Sequence, residues 1–412
     1  MEKIQPLRGT HDFIGHNIIL YRHINKIIHE IADYYDFNEI ITPIIENTEL
    51  FKKPLGEHSD VVLKEMYSFQ DGKKSMITLR PEYTASIIRA AISNNLFDRL
   101  PIKLFGIGPM FRRERPQKGR FRQFNQINFE ILGTTESNAD VELIVLANEF
   151  IKNLKINSKV NLYINSLGDE DTLCEYKKIL TKYYNKYRND LSNESKAKID
   201  VNPLRILDSK KLEDLKINSE SPKIDQFYSK KAKKFFEDVQ QLIDKAGIVF
   251  SIDKNLVRGL DYYCHTVFEF KSDELGNQNT LIGGGRYDGL VKNIGGPDIP
   301  GVGWASGIER LMMIHRKIEE NIPIAQIIPI DQFSKEYCLD LLVNLRKLKM
   351  KIRYDYKHQI KKSLKKASES KIKFAIIVGE KEIKNNNYTL KNLFDSNQKT
   401  VSLEELKNIL QS

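Results

Sequence analysis

Apolar residues at Ile19, Leu20, Ile24, Ile27, Ile28 and Ile31 recur at three- and four-residue intervals, which predicts an amphipathic helix over residues 18–35. A β-type run follows at 37–46, interrupted by Pro43, and a proline there marks an edge or interface strand. Residues 76–80 read as a strand that Pro81 stops, and an apolar helix follows over 85–93. The run 103–111 enters a strand–loop–strand segment at 111–133, and a helix is expected over 139–154. In the segment 111–133, Arg112 and Glu114 share parity on the first strand, and Gln126, Asn128 and Glu130 share it on the second, so each set projects to one sheet face. The intervening Pro116-Gln117-Lys118-Gly119-Arg120 has turn chemistry. From 166 to 234 the pattern becomes polar and rich in Lys and Tyr, with helical periodicity at 172–189 and again at 229–246, and it reads as an inserted helical subdomain. Sheet-type runs resume at 249–253, 256–263, 266–270 and 280–290, and a glycine-punctuated strand runs into a helix over 301–313. From 325 the order β, α, β, α, β implies a small sheet with parallel strands and crossover helices.

A chain of 412 residues has room for two or three domains. The pattern divides it into 1–165, 166–234, 235–324 and 325–412: two parts of one core, the insertion between them, and a C-terminal module. Formal net charge is +10, and residues 325–412 hold 18 Lys plus Arg against 10 Asp plus Glu, so +8 of it sits in that module. A basic module suggests a polyanionic partner. Cys174, Cys264 and Cys338 are scattered, which argues against a zinc ribbon or a disulfide framework and fits a reducing cytosol. No run of 18 apolar residues occurs and the N-terminus has no apolar signal core, so neither membrane insertion nor secretion is expected.

Gly283-Gly284-Gly285 lacks the downstream spacing of a Rossmann fingerprint or a P-loop, and none of the eight histidines forms His-x-x-x-His, so those nucleotide sites and a protein-ligated transition metal have little support. The arginines suggest something else. A site that binds ATP without a P-loop and activates an amino acid needs guanidinium groups for phosphates, a carboxylate for an ammonium group and an aromatic platform for adenine. Arg112, Arg258 and Arg310 stand in three separate motifs, and arginine suits phosphates because its planar fork bonds oxygens in pairs and stays charged when desolvated. The competing reading of Arg258 is a buried ion pair with Asp261.

Phe111-Arg112-Arg113-Glu114 with residues 120–130 resembles motif 2 of the class II aminoacyl-tRNA synthetases, Gly307-Ile308-Glu309-Arg310-Leu311 resembles motif 3, and the helix and strand ending at Pro43 resemble motif 1, the dimer element. Leu256-Val257-Arg258-Gly259-Leu260-Asp261-Tyr262-Tyr263 and Gly283-Gly284-Gly285-Arg286-Tyr287-Asp288-Gly289 resemble the two signatures of the histidyl-tRNA synthetase family. The resemblance covers essentially the whole chain. It implies an α+β fold: a class II antiparallel-sheet catalytic core with a helical insertion, plus a C-terminal α/β anticodon-binding domain. It also implies activation of L-histidine with ATP, transfer to tRNA(His), Mg2+ on the ATP phosphates, a homodimer and a cytoplasmic location.

By resemblance, Arg112 holds the α-phosphate and the substrate carboxylate, and Arg258 stabilises the pentacoordinate phosphorus. Glu114, Arg120, Phe124 and Arg310 serve ATP, with the adenine between Phe124 and Arg310. Glu82, Thr84 and Gln126 bind the α-amino end of histidine, Glu130 and Tyr263 its imidazole, and Tyr287 lines the pocket. The alternative is the histidine-sensing regulatory subunit of ATP phosphoribosyltransferase, a non-enzymatic relative. It predicts loss of the anticodon module and erosion of the arginines, and a class II synthetase for another amino acid predicts loss of the two histidine-type signatures.

Overall fold

The apolar stripe of the first helix, His16–Tyr34, lies against the largest β-sheet of a computed structural model that describes residues 3–56, 61–72, 75–156, 159–315, 318, 322–356 and 359–411. The chain separates into two units, residues 1–318 and 319–412. In the first, eight strands run across the sheet in the order Asn38–Glu39, Ile102–Phe111, Gln123–Leu132, Gly301–Gly307, Thr280–Arg286, Cys264–Ser272, Val160–Ser166 and Phe250–Ile252. The five inner pairings are antiparallel, and the pairing at each edge is parallel.

Strict alternation gives this sheet two unlike faces. Phe105, Phe129, Trp304, Gly284 and Phe268 follow one another across one face. Helices His16–Tyr34, Ser137–Asn153 and Lys230–Lys245 cover that face and complete the main core. Trp304 is fully buried there, stacked on Phe129 with ring centroids 4.8 Å apart. Its neighbour Gly284 makes the room, since a Cβ on Gly284 would come within 2.5 Å of the Trp304 Cβ.

The centre of the other face is almost bare of large side chains, with Leu104 and Val267 at the ends of one of its rows. Gly106, Asn128, Ala305, Gly283 and Glu269 form one row across it; Glu130, Gly303 and Gly285 form a second; Gly108, Gln126 and Gly307 form a third. Glycine and alanine leave a floor on which a ligand can approach the backbone, with Gln126, Asn128, Glu130 and Glu269 as the polar groups rising from it.

Between Ser166 and Phe250 the described residues form helices and no strand, beginning with Glu170–Lys186. Residue 234 falls inside the continuous helix Lys230–Lys245, whose Phe236, Val239 and Ile243 belong to the main core. A buried hub holds the helical segment together: Asp214 accepts bonds from the Ser192 amide and from the hydroxyls of Ser192, Ser195 and Ser209.

Residues 319–412 carry a five-stranded sheet in the order Ile352–Tyr354, Ala325–Pro329, Phe374–Val378, Tyr388–Asn392 and Gln398–Val401. The first three strands are parallel, as the β, α, β, α, β order requires, and the last two are added antiparallel. Those two and the final helix Leu403–Gln411 were not expected, because Tyr-Thr-Leu-Lys-Asn and Gln-Lys-Thr-Val are short, polar edge segments with a weak apolar signal.

Three expected strands differ from the structure. The run 37–46 splits: Asn38–Glu39 joins the large sheet, and Ile45–Asn47 pairs with Met76–Leu79 in a separate three-stranded sheet. Pro43 lies between them, where the missing N–H rules out a continuous ladder. The first hairpin strand ends at Phe111, so Arg112 and Glu114 lie in the connecting loop rather than on a strand face. Residues 256–263 form a loop and not a strand.

Candidate active site

The glycine floor sets the height of the groups above it. A Cβ on Gly283 would lie 2.4–2.6 Å from the guanidinium of Arg258, and one on Gly303 would lie 1.5 Å from a carboxylate oxygen of Glu130. Both side-chain heads rest where only glycine admits them. Over this floor Arg112, Glu114, Arg120, Phe124, Gln126, Arg258, Glu309 and Arg310 line one cleft.

The hairpin loop and the Ile308–Ile314 helix supply the guanidinium groups. Arg112 Nε donates to Pro81 O at 2.8 Å, and its Cζ sits 5.3 Å from the centroid of Phe124. Glu114 pairs with Arg120 at 3.1 Å and reaches Arg112 at 3.9 Å. Arg310 Nε donates to Gly119 O at 3.0 Å, and its Nη1 donates to Thr280 O at 2.9 Å, so the helix arginine clasps the hairpin tip from across the cleft. Burial, with Arg120 and Arg112 nearby, lowers the Arg310 guanidinium to about 10, while Glu114 and Glu269 oppose the shift. A buried guanidinium with two more arginines beside it is a site short of anions.

Arg258 stands at the far wall. Its Nη1 is paired with Glu269, which also accepts from Thr280 Oγ1 at 3.1 Å and from Lys271 at 3.1 Å. Burial disfavours the Arg258 charge, but Glu269 and Tyr263 outweigh it, so the net direction is upward. Asp261 is not its partner: that carboxylate pairs with Arg205 at 2.8 Å.

Beside the arginines lies a buried acidic cluster. Glu82 accepts from the amides of Thr84 at 2.9 Å and Ala85 at 2.8 Å, at the start of the Thr84–Ser93 helix. Glu130 accepts from Thr84 Oγ1 at 2.7 Å, from Asn128 Nδ2 at 3.1 Å, and from the Tyr287 hydroxyl. Burial pushes Glu130 up to about 8 against the pull of those three donors, with the nearby charge of Glu82 adding to the rise. Burial likewise raises Glu82, opposed by its backbone bonds and by Arg112. Tyr263 packs 4.6 Å from Tyr262 and 6.4 Å from Tyr287, ring to ring. Tyr287, expected only to line this pocket, is the phenol that bonds Glu130.

The cleft thus gathers Arg112, Glu114, Arg120, Phe124, Gln126, Arg258 and Arg310, while Glu82, Thr84, Glu130 and Tyr287 form the adjoining cluster, with Tyr263 against Tyr287. The two meet at Pro81-Glu82, since Arg112 is bonded to the carbonyl before Glu82. Sequence reasoning missed Glu269 and Glu309. Glu269 looks like any alternate position in a strand until the register places it opposite Gly283. Glu309 accepts from Asn125 N and Nδ2, with its shorter contacts at 2.8 and 2.9 Å, and burial pushes it up to about 7. Its place beside Arg310 in motif 3 was the one available signal.

An antiparallel sheet with a bare floor, a hairpin loop and a glycine-led helix converging on it with arginines, and no P-loop defines the catalytic core of a class II aminoacyl-tRNA synthetase. The family model described as histidyl-tRNA synthetase matches residues 9–311, and that described as anticodon binding domain matches 325–412. The chain belongs to the histidyl-tRNA synthetase family. It is 43% identical over 401 residues to a histidine–tRNA ligase of Wolbachia pipientis subsp. Culex pipiens, covering 97% of this chain and 98% of that one. A histidine–tRNA ligase of Orientia tsutsugamushi (strain Ikeda) is 41% identical over 417 residues, covering 100% and 99%. The crystal structure of apo S. aureus histidyl-tRNA synthetase superposes with a TM-score of 0.82 at 31% identity, over 100% of both chains. A Bacillus halodurans structure titled ATP phosphoribosyltransferase regulatory subunit/histidyl-tRNA synthetase shares the fold, with a TM-score of 0.68 at 19% identity over 92% of this chain and 99% of that one.

Proposed function

We propose that histidine and ATP meet on the glycine floor, with the ATP phosphates among the arginines and the amino acid against the acidic cluster. The activity is ATP-dependent activation of L-histidine to histidyl-adenylate and transfer of histidine to the 3′ end of tRNA(His). The observation that carries the placement is the juxtaposition of a cation-rich cleft with a buried carboxylate pair, joined at Arg112 and Pro81-Glu82.

In this reading Glu82, Thr84 and Gln126 take the α-ammonium group, and Glu130, with Tyr287 and Tyr263, takes the imidazole. Imidazole is small, polar and partly cationic, so selection needs hydrogen bonds, and a site built for them rejects analogues lacking them by about 10⁴ or more. Arg112 holds the α-phosphate and the carboxylate of histidine. That carboxylate attacks the α-phosphorus as its bond to the bridging oxygen breaks and pyrophosphate leaves, and Arg258 neutralises the charge that grows on the α-phosphate oxygens. Phe124 and Arg310 sandwich adenine, with Glu114 on the adenine side and Arg120 on the phosphates. Magnesium enters with the triphosphate. Among the described residues no group of three His, Cys, Asp or Glu side chains is placed to hold an ion, so the triphosphate oxygens and water would hold the magnesium, which would offset phosphate charge.

Residues 325–412, with their +8 charge, take the anticodon arm; the insertion expected at 166–234 ends before the core helix Lys230–Lys245; and the protein works as a cytoplasmic homodimer through the segment around Pro43. Among the described residues no helix is long and apolar enough to cross a membrane. Pyrophosphate–ATP exchange with each of the twenty amino acids, followed by charging of tRNA(His), tests the reading. Exchange with histidine alone is expected; histidine binding without exchange would favour the regulatory-subunit alternative.

A further inference from the structure

Residues 256–263 carry Arg258 but have neither helix nor strand to hold it. The polar tethers of this loop come mainly from the helical segment that precedes it. Arg205 donates from Nε to Asp261 Oδ1 at 2.9 Å and from Nη2 to Gly259 O at 2.9 Å, and Asn202 Nδ2 donates to Asp261 Oδ1 at 2.7 Å. At the start of the loop Lys223 Nζ donates to Asn255 Oδ1 at 3.0 Å. Arg258 therefore lies between two points both fixed from residues 202–223. The Arg205 side chain is only 11% exposed, and one planar fork grips a carboxylate and a backbone carbonyl, unlike a loose surface pair.

The structure assigns to Arg205 the positioning of Arg258: through Asp261 and Gly259, with Asn202 assisting, it fixes the loop so that the Arg258 guanidinium sits over Gly283. This rests on the reading of Arg258 as the group that stabilises the reacting phosphate. Arg205 borders the same cleft, but its fork is committed to Asp261 and Gly259 O, so its loss acts on the transition state through Arg258 rather than on ground-state binding. The helical segment is thereby a structural part of the adenylation site, and any force that shifts it shifts the catalytic arginine.

A double-mutant cycle on the full-length chain tests this, with kcat and KM read by pyrophosphate exchange. Arg205→Ala is expected to lower kcat by about tenfold to a hundredfold, the scale of a misplacement near 1 Å, with the KM values for ATP and histidine within about twofold. Arg205→Lys, which keeps the charge on Asp261 but loses the fork, is expected to recover part of the loss. In an Arg258→Ala background Arg205→Ala is expected to add no more than about twofold, because the group it positions is gone. A kcat for Arg205→Ala within twofold of the parent, or full additivity of the two losses, overturns the proposal. Arg258→Ala within twofold of the parent overturns the reading of Arg258 and this proposal with it, whereas a large Arg258→Ala loss beside an unchanged Arg205→Ala overturns this proposal alone. If Arg205→Ala fails to fold, Asp261→Asn goes through the same cycle with thermal melting as the check; a smaller kcat loss that vanishes in the Arg258→Ala background supports the assignment, and one that persists there refutes it.

Discussion

Arg258 and Glu130 show how far a single residue's chemistry follows from its surroundings. Both are ionisable groups on a floor that only glycine leaves open. Replacing Arg258 with alanine should cost about 3–4 kcal/mol in the adenylation barrier, the scale for losing a preorganised charge donor, and pyrophosphate exchange reads it directly. A change of twofold or less would sink the assignment. For Glu130, the folded-state value near 8 stands above the ordinary carboxylate value of 4.5. The folded chain therefore holds that proton more tightly than the unfolded chain. The resulting stability is fully present below about 4.5 and is lost as pH rises through about 8. Glu130→Gln should flatten the fall in melting temperature across that window, and scans of the two proteins at matched pH values give the difference. Glu82 is raised too, and Glu309 is raised to about 7, so only the difference between the two proteins belongs to Glu130. The motif residues themselves could be named from the chain, because arginine, glutamate and phenylalanine at those spacings have few other uses. That Glu130 would bond Tyr287 rather than stand beside Tyr263 could not be named, because the bond joins residues 157 positions apart.

Elements were legible where one periodicity ran unbroken. The His16–Tyr34 helix and the Gln123–Leu132 strand follow their patterns to within a few residues. The pattern misled where proline cut a strand at Pro43, and where 256–263 looked apolar enough for a strand but packs as a loop tethered by Arg205. Adjacent glycines in the Thr280–Arg286 strand give a test of the two-faced sheet. Gly283→Ala should expel the Arg258 guanidinium and lower exchange much as Arg258→Ala does, since the atoms it meets are the end of a flexible side chain. Gly284→Ala points the other way and meets the Gly303 carbonyl oxygen at 2.3 Å and Trp304. It should instead cost stability, about 1–3 kcal/mol for overpacking, seen in denaturant melts.

For the whole molecule, the basic balance of residues 325–412 makes a prediction that separates the two steps of the reaction. Lys361, Lys362, Lys365 and Lys366 share one short helix, Ile360–Glu369. Changing all four to alanine should weaken tRNA binding and lower the log–log salt slope by up to about 3, at roughly 0.7 per single-stranded phosphate contact, while pyrophosphate exchange without tRNA stays unchanged. Filter binding across a salt series checks it; an unaltered slope would place the tRNA elsewhere. The sequence by itself determined the class, the amino acid and the residue types carried by the motifs, because those depend on local periodicity and on motifs whose residues are near neighbours in the chain. Tertiary structure decided which strand lies beside which, and so which glycine makes room for which charge, which phenol meets Glu130, and that Arg205 in a helical segment steadies Arg258. Those are pairings between distant segments, set by sheet register and close packing, and a pattern read along one chain contains no term for them.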